Sequence, residues 1–364
     1  MAKKDTLWPM TRPTQAKHTI LRKYLDAWLP ILGAGRHAHE HVVLIDGFAG
    51  PGRYTAGEPG SPLIMLEACL EHSAMLDAIA HFFFIEEHHE RCEHLRKEIA
   101  DLTLPSRVVV EIIEGSFADE FPDLIERLGT QFARPSPTFA FIDPFGAEEI
   151  PAALSTPLLR IPRCEVLVYF PVGFLARFTE RQEFRPILDG LYGGDQWKRA
   201  LAAPDFETKK RVLHDLFLGE LQTHVHWVRS FEITPAAKVG GNTYYLFFGT
   251  GSQMGLRRMK DAMWKVDPEA GQAFRDSTLA DHPVLFEQEA DLARLQDMLR
   301  EEFVSRWFTI EQAEQFTLLE TAFRDNGHLK PGLKAAEAVG ALEVRRLAGK
   351  RAGSFTAGAR MRFT

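Results

Sequence analysis

The sequence has few cysteines and lacks any long apolar run. Three of its 364 residues are cysteine, at positions 69, 92 and 164, too few and too scattered for a disulfide framework. No stretch approaches the roughly 20 consecutive apolar residues that a membrane helix needs, and the amino terminus lacks the apolar core of a signal peptide. We therefore expect a protein of the reducing cytoplasm that has no membrane partner.

Motifs for several common ligands are missing as well. The phosphate-binding string that ends in Gly-Lys-Ser/Thr does not occur, and the glycine-rich loop after the first predicted strand lacks the dinucleotide spacing G-x-G-x-x-G. These absences argue against nucleoside triphosphate and nicotinamide ligands. Histidines gather at residues 37–41 and 88–94, but without the paired spacing of zinc sites. We therefore expect no metal.

Charge is unevenly distributed along the chain. The whole chain carries a net charge of −7, whereas residues 330–364 hold eight lysines and arginines but two glutamates. A basic end on an acidic body favours contact with a polyanion such as nucleic acid. The alternative is a solvated basic hairpin.

Short apolar runs alternate with helical patterns over the first half of the chain. Such alternation predicts βαβ units, and hence an α/β fold with a doubly wound, mostly parallel sheet. Length and pattern together indicate two domains, at residues 1–280 and 281–364. Five strands are predicted in this part, in HVVLID (41–46), HFFFIEE (81–87), RVVVEIIEG (107–115), TFAFIDPFG (138–146) and CEVLVYFP (164–171), and a sixth follows in NTYYLFFGTG (242–251).

A glycine-rich loop follows the first predicted strand. In open α/β sheets ligands bind at the carboxyl ends of strands, where glycines let the backbone approach closely. The string D-x-F-A-G-x-G resembles the first motif of S-adenosylmethionine-dependent methyltransferases. The alternative is a glycine turn of structural use only. The resemblance implies that the cofactor S-adenosyl-L-methionine contacts Asp46, Gly47, Phe48, Ala49, Gly50 and Gly52.

Two further strand ends fit the same resemblance. Glu86 ends the second strand, where a carboxylate can accept hydrogen bonds from both ribose hydroxyls. After the third strand, Ser116 stands where methyltransferases often place an aspartate that binds the adenine amino group. Phe117 would pack either on the adenine or in the core. The alternative for Glu86 is a solvated strand end.

Asp143-Pro144-Phe145-Gly146 resembles the D-P-P-Y/F motif of amino-methyltransferases. In that motif the acid and the proline carbonyl accept hydrogen bonds from the target amino group, and an aromatic ring stacks on the substrate. Here Phe145 replaces the second proline and Gly146 the aromatic residue, so Phe145 would stack from one position earlier. Proximity and alignment supply most of the acceleration in such a transfer. The alternative is an Asp-Pro turn.

Four other residues are candidates for the same site. Lys17, on the first predicted helix, would meet the carboxylate of the cofactor, and His18 would line the substrate pocket. Arg53 and Tyr54 follow the glycine loop and would face the substrate. The alternative is that all four are ordinary surface residues.

The resemblance extends over most of the chain. The segments KHTILRKYLDAWLPIL, IDGFAGPGRY, GEPGSP, FIDPFG and YYLFFGTG to GLRRMKDAMWKVDP together resemble the three-Cys-motif partner (TcmP) family. That family implies a Rossmann-like methyltransferase-type domain followed by a winged helix. Its name refers to a neighbouring three-cysteine protein, which is therefore an expected partner. This chain does not carry the three-cysteine motif itself.

The resemblance assigns residues 281–364 to the winged helix, with LKPGLKAAEAVGAL as its recognition helix. Arg345, Arg346, Lys350 and Arg351 would follow the phosphates of a nucleic acid and give salt-dependent, sequence-independent affinity. The alternative is a winged helix that contacts protein.

Together these features predict an S-adenosylmethionine-dependent methyltransferase that acts on an amino group of a base in DNA or RNA. A base in a duplex would have to be flipped out. One alternative is a catalytically degenerate scaffold or partner subunit of a nucleic-acid-modifying system. A second is a methyltransferase of small molecules or proteins, and a third is transfer of a group other than methyl. Each assignment of a reaction rests on analogy with the fold of known enzymes.

Overall fold

The computed structural model describes residues 6–132, 134–144, 159, 161–235, 243–275 and 289–364. One sheet of eight strands forms its centre. The strands are β1 (His41–Asp46), β2 (Ile79–Glu86), β3 (Val108–Glu114), β4 (Thr138–Ile142), β5 (Cys164–Phe170), β6 (Trp227–Thr234), β7 (Tyr244–Thr250) and β8 (Ala273–Arg275). The helices around it are α1 (Arg12–Gly33), α2 (Ser61–His72), α3 (His89–Ala100), α4 (Phe117–Gln131), α5 (Val172–Phe178), α6 (Arg185–Leu191), α7 (Phe206–Gln222) and α8 (Gln253–Val266).

The sheet has the strand order β3-β2-β1-β4-β5-β7-β6-β8. Strands β1 to β5 are parallel, β7 is antiparallel to both β5 and β6, and β6 is parallel to β8. This confirms the predicted doubly wound, mostly parallel sheet of the Rossmann-like methyltransferase type. The strand order reverses between β1 and β4, so a crevice opens beyond the carboxyl ends of these two strands.

Helices cover both faces of the sheet because successive strand residues point to opposite sides. Val43 and Ile45 of β1 join the apolar cluster beneath α4 and α7, whereas Val42 and Leu44 join the cluster beneath α1, α2 and α8. One face of α1 is apolar and buried. Thr11 caps the amino end of this helix, which continues through Pro30 to Gly33.

The carboxyl-terminal region forms a second, smaller sheet with its own core. Its elements are α9 (Leu292–Glu302), β9 (Phe308–Thr309), α10 (Ile310–Glu320), a π-helical turn (Asp325–Leu329), α11 (Lys330–Ala338), β10 (Leu342–Arg345) and β11 (Arg360–Phe363). The strands pair antiparallel in the order β10-β11-β9. The core includes Leu295, Phe308 and Leu333, together with Trp264 from α8. The predicted boundary at residues 280 and 281 lies outside the described residues.

Two side chains of α8 donate hydrogen bonds to backbone carbonyls at and just after the carboxyl end of α10. The Lys260 Nζ donates to the carbonyls of Thr317 and Leu318 across 2.8 and 3.0 Å, and Trp264 Nε1 donates to the Ala322 carbonyl across 2.8 Å. The last carbonyls of a helix have no partner within it, so these donors dock α10 on α8. Burial lowers the pKa of Lys260 to about 6.

Among the described residues, no helix combines the length and the apolar character needed to cross a membrane.

Candidate active site

The loop after β1 is built around glycines that the local packing requires. A Cβ on Gly47 would lie 2.5 Å from the ring of Phe117, so any side chain there would collide with the core. Gly50 and Gly52 have φ values of 65° and 87°, in the left-handed region that favours glycine. The Gly47 amide donates to the Phe141 carbonyl of β4 across 2.9 Å, which holds the loop at the switch point of the sheet.

Glu86 joins the end of β2 to this loop. Its carboxylate accepts hydrogen bonds from the Gly50 amide and from the His88 amide, both across 2.9 Å. The side chain is buried, and Arg91 lies 3.6 Å from the same carboxylate. The structure thus brings two predicted cofactor residues, Glu86 and Gly50, into direct contact.

Asp46 ends β1 as a fully buried carboxyl group. One of its oxygens accepts a hydrogen bond from the Phe48 amide across 3.1 Å, whereas Oδ2 has no hydrogen-bond partner among the described residues. Burial raises the pKa of Asp46 to about 7, against the opposing effect of hydrogen bonds from Ser61 and from the Phe48 amide, and the negative charges of Asp143 and Glu86 add to the rise. A buried oxygen without a partner is costly, so Asp46 is suited to accept a hydrogen bond from a ligand.

A cavity of about 390 Å³ opens beside the glycine loop. This volume lies within the range typical of sites for small molecules and cofactors. The structure brings together here nine of the residues predicted for the site. They are Lys17, Phe48, Ala49, Gly50, Gly52, Arg53, Tyr54, Asp143 and Pro144.

Lys17 and Asp143 meet within this cavity. The Lys17 ammonium donates a hydrogen bond to Asp143 Oδ2, and the two side chains are mostly buried. The same ammonium lies 4.5 Å from the ring centroid of Tyr169, within cation–π distance. Asp143 follows β4 and Lys17 lies on α1, so the ion pair ties the first helix to the carboxyl edge of the sheet.

Two tyrosines that the sequence analysis missed also line the cavity. Tyr169, near the end of β5, stacks on Tyr244, the first residue of β7, with ring centroids 4.7 Å apart and planes 6° apart. Burial raises the pKa of Tyr169, and the negative charge of Asp143 adds to the rise. The position of Tyr169 at the carboxyl end of a predicted strand was a usable signal for it, whereas nothing in the sequence pairs it with Tyr244.

Trp8 is a third residue that the sequence analysis missed. It lines the cavity, and its ring centroid lies 6.0 Å from that of Tyr54, edge to face. The guanidinium of Arg91 lies 4.8 Å from the Trp8 ring. Trp8 precedes α1 and is remote in sequence from every predicted motif, so no pattern pointed to it.

His18 and Arg53 differ in their surroundings: the buried Nδ1 of His18 has no hydrogen-bond partner among the described residues, whereas Arg53 has partners within the fold. Burial lowers the pKa of His18 to about 3, with the positive charge of Lys17 adding to the effect, and its ring lies 5.8 Å from that of Tyr54. His18 is therefore a neutral, buried ring next to a cavity residue. Arg53 donates to Glu98 across 2.5 Å and to the Gly57 carbonyl across 2.9 Å, which orders the loop before α2.

Ser116 and Phe117 occupy structural positions in the described structure. Ser116 caps α4, where its hydroxyl accepts from the Asp119 amide across 3.2 Å. Phe117 stacks between Phe48 and Phe121 in the core, at centroid distances of 5.0 and 4.5 Å. Phe145, the predicted stacking residue, lies outside the described residues.

The predicted basic residues of the carboxyl terminus have different surroundings. Arg346 pairs with Glu337 and donates to the Ser354 carbonyl across 3.1 Å, so it fastens the segment between β10 and β11. Arg345 is exposed and lies 4.1 Å from the Trp307 ring centroid. Lys350 and Arg351 are exposed at the tip of the same segment.

Within the part of the chain that the structure describes, no group of three or more histidine, cysteine, aspartate or glutamate side chains could hold a metal ion. His41 instead contacts His81 through ring nitrogens 3.1 Å apart.

No protein-family model matches the chain, and the search of curated proteins gives no match. Among solved structures, the chain is similar to the protein LPL1258 from Legionella pneumophila, with 14% identity and a TM-score of 0.39 over 65% of this chain and 84% of that one. It is also similar to the O-methyltransferase TomG from Streptomyces achromogenes in complex with SAM, with 17% identity and a TM-score of 0.35 over 68% and 91%. An O-methyltransferase from Bacillus cereus in complex with SAH gives 16% identity and a TM-score of 0.34 over 66% and 83%.

Proposed function

We propose that this protein is an S-adenosylmethionine-dependent methyltransferase that binds its cofactor along the glycine loop. The observation that carries the proposal is the placement of Asp46 and Glu86. Both are buried carboxyl groups at adjacent strand ends, and Asp46 Oδ2 has no hydrogen-bond partner among the described residues. Neither side chain lines the cavity of about 390 Å³ itself, but the loop from Phe48 to Gly52, which lies between them in the sequence, does. The residues therefore fit a ligand that offers hydroxyl and amino donors.

Different residues of the chain bind different parts of the cofactor. Glu86 uses two of its roughly four lone-pair sites on backbone amides, so the others can accept from ribose hydroxyls. Asp46 accepts from an amino group, and Gly50, which lines the cavity and has no side chain, allows close approach. When bound, S-adenosylmethionine supplies an electrophilic methyl group on its sulfonium sulfur.

Asp143 and Pro144 orient the acceptor. The Asp143 carboxylate and the Pro144 carbonyl accept hydrogen bonds from an acceptor amino group, which points the nitrogen lone pair toward the methyl group. Lys17 holds Asp143 in place through their ion pair. The ammonium has three protons, so this contact leaves donors for the carboxylate of the cofactor. Alignment and the exclusion of water by Trp8 and Tyr54 then supply the acceleration.

The acceptor that we propose is an amino group of a nucleic-acid base. Support comes from the Asp-Pro pair at the end of β4 and from the basic tip formed by Lys350 and Arg351. We further propose that residues 281–364 form a winged helix, because helices and strands follow one another there in the order α9-β9-α10-α11-β10-β11. In this arrangement Arg345, Lys350 and Arg351 contact phosphates, while Arg346 maintains the hairpin. A base in a duplex reaches the cavity by flipping.

The resemblance to the three-Cys-motif partner family, and with it a three-cysteine partner protein, belongs to the same proposal. One observation favours a second candidate, a catalytically degenerate scaffold or partner subunit. The Asp143 carboxylate is already engaged by Lys17, and the motif after it departs from the amino-methyltransferase pattern.

Transfer of a tritiated methyl group from S-adenosylmethionine to DNA and to RNA, assayed separately, tests the function. We expect label in one of the two, and loss of that label in Asp143→Ala with cofactor binding retained. Glu183→Gln, an exposed carboxylate on the surface, is the control and should keep full activity. A wild-type protein that binds the cofactor but labels neither nucleic acid would contradict the proposed acceptor and favour the scaffold.

A further inference from the structure

A second cavity lies at the opposite edge of the large sheet. It has a volume of about 400 Å³, equal to that of the cavity beside the glycine loop, and it shares no residue with it. Pro137 before β4, Arg163 before β5 and the end of β7 at Thr250 all line it. These positions mark the amino ends of the parallel strands, so the cavity is separate from the proposed methyl-transfer site.

The floor of this cavity is a buried, fully partnered carboxyl group. Glu165 accepts hydrogen bonds from Tyr24, Trp28 and Thr250 across 2.6, 2.7 and 2.5 Å. Gly255 makes room for it, because a Cβ there would lie 2.1 Å from Glu165 Oε1. With three donors already committed to it, Glu165 fixes the aromatic wall and has little capacity left for a ligand.

The mouth of the cavity carries two guanidinium groups. Arg258 donates to Asp261 through Nη1 across 3.2 Å, but its Nε is buried and has no hydrogen-bond partner among the described residues. Arg163 contacts only a neutral acceptor among the hydrogen bonds described, His39 Nδ1 at 3.2 Å. Burial and Arg163 both lower the pKa of His39, which keeps that ring uncharged. Among the described residues, Arg163 therefore has no anionic hydrogen-bond partner, and Arg258, although paired with Asp261, keeps one N–H without a partner.

Among the residues that line this cavity, Arg163 has a strained backbone. Its φ of 68° lies in the left-handed region, where a residue with a Cβ is disfavoured. A glycine would fit this position without strain, yet the chain places an arginine there, with its side chain at the cavity. Strained backbone of this kind gathers at ligand sites.

The other walls are apolar. Ile31, Leu32 and Met254 line the cavity, and Ile31 and Met254 are exposed to solvent over about two-fifths of their surface. Large, partly exposed apolar side chains and two guanidinium groups in one cavity match a ligand that is apolar at one end and anionic at the other.

We propose that this cavity binds a small carboxylate with an apolar or aromatic body, its carboxylate held by Arg163 and Arg258. The fork of a guanidinium matches the two oxygens of a carboxylate. The body of the ligand lies against Trp28, Ile31 and Met254.

Indole-3-acetate is the probe, and its neutral amide is the matched control ligand. Titration is followed through the indole N–H signal of Trp28 in nitrogen-15 spectra, assigned with Trp28→Phe. We expect a dissociation constant on the order of 1 mM for a ligand of this size, and binding about tenfold weaker for the amide, which lacks the charge.

Two variants remove the guanidinium groups without disturbing the fold. Arg163→Gly suits the left-handed backbone, and Arg258→Gln keeps a polar side chain; circular dichroism and the melting temperature report folding. Each is expected to weaken the binding of indole-3-acetate about tenfold, whereas Arg185→Gln, at an exposed position outside the cavity, leaves that binding unchanged. Equal binding of acid and amide, binding unchanged in both arginine variants, or no shift of the Trp28 signal would overturn the proposal. Displacement of the probe by inorganic phosphate alone would overturn the requirement for an apolar body.

Discussion

Glu86 and Gly50 are joined by a hydrogen bond of 2.9 Å between the carboxylate and the backbone amide. This contact ties the end of β2 to the loop after β1, and so it shapes the surface on which we place the cofactor. A single carboxylate thus has two tasks, to hold the loop and to receive ribose hydroxyls. The expectations below follow from this arrangement and from the packing around it.

Glu86→Gln should weaken the binding of S-adenosylmethionine by about tenfold or more, because hydrogen bonds to a charged group contribute roughly 1.5–3 kcal/mol. Calorimetric titration measures the loss. Glu87→Gln, at the exposed neighbouring position, is the matched control and should bind as the wild type does. Equal affinities for the two variants would remove Glu86 from the site.

Gly47→Ala should destabilise the folded protein by about 1–3 kcal/mol, the usual cost of overpacking. The new Cβ would lie 2.5 Å from the ring of Phe117. Denaturant unfolding gives the free energy. Gly129→Ala is the control, because that glycine lies within α4 with nothing near its Cβ position, and alanine should add up to about 1 kcal/mol there. A stable Gly47→Ala variant would mean that Phe117 can move aside.

The ionisation of Asp46 should make the free protein less stable as pH rises. Its pKa is raised from 3.8 to about 7 in the fold, so the unfolded chain releases this proton first. The stabilisation associated with the protonated carboxyl is complete below pH 4 and is lost as pH rises through 7. It amounts to a few kcal/mol at most, about 1.4 kcal/mol for each pH unit of the shift.

Asp46→Asn removes that titration, so the variant should gain melting temperature relative to the wild type between pH 5 and pH 8. Melting scans across that range, without ligand, give the comparison. A difference that stays constant with pH would show that Asp46 is ionised in the fold at an ordinary pKa.

Lys350→Gln combined with Arg351→Gln should weaken nucleic-acid binding without altering its sequence preference. Each lost phosphate contact lowers the slope of log affinity against log salt by about one, so the pair should lower it by about two. Fluorescence anisotropy at several salt concentrations measures the slope. Arg346→Gln instead breaks the pair with Glu337, so a lower melting temperature should dominate its effect.

The sequence predicted strands best where the residues of the strand are completely buried. The strands β1, β2, β4 and β5 are continuous apolar runs because helices cover both of their faces, and the glycine loop stands at the end of the first. No strand was predicted at β6, since buried and half-exposed residues are mixed along it. Its pairing with β7 depends on contacts between distant segments.

The other features that the sequence did not predict depend on contacts between residues far apart in the chain. The stack of Tyr169 on Tyr244 exists because β7 runs antiparallel beside β5, a relation that no local pattern encodes. Arg346 has the same charge as Lys350, but Glu337 lies beside it only once the hairpin has folded against α11. The local sequence therefore predicted the glycine loop, whereas the residues that pack beside it depend on how distant strands pair in the sheet.

Calorimetric titration of the whole chain with S-adenosylmethionine tests the central claim most directly. We expect micromolar binding to the wild type, with heats abolished or strongly reduced in both Asp46→Ala and Glu86→Ala. Absence of binding by a wild-type protein that melts cooperatively, or binding that is unaffected in both variants, would contradict a cofactor site on the glycine loop.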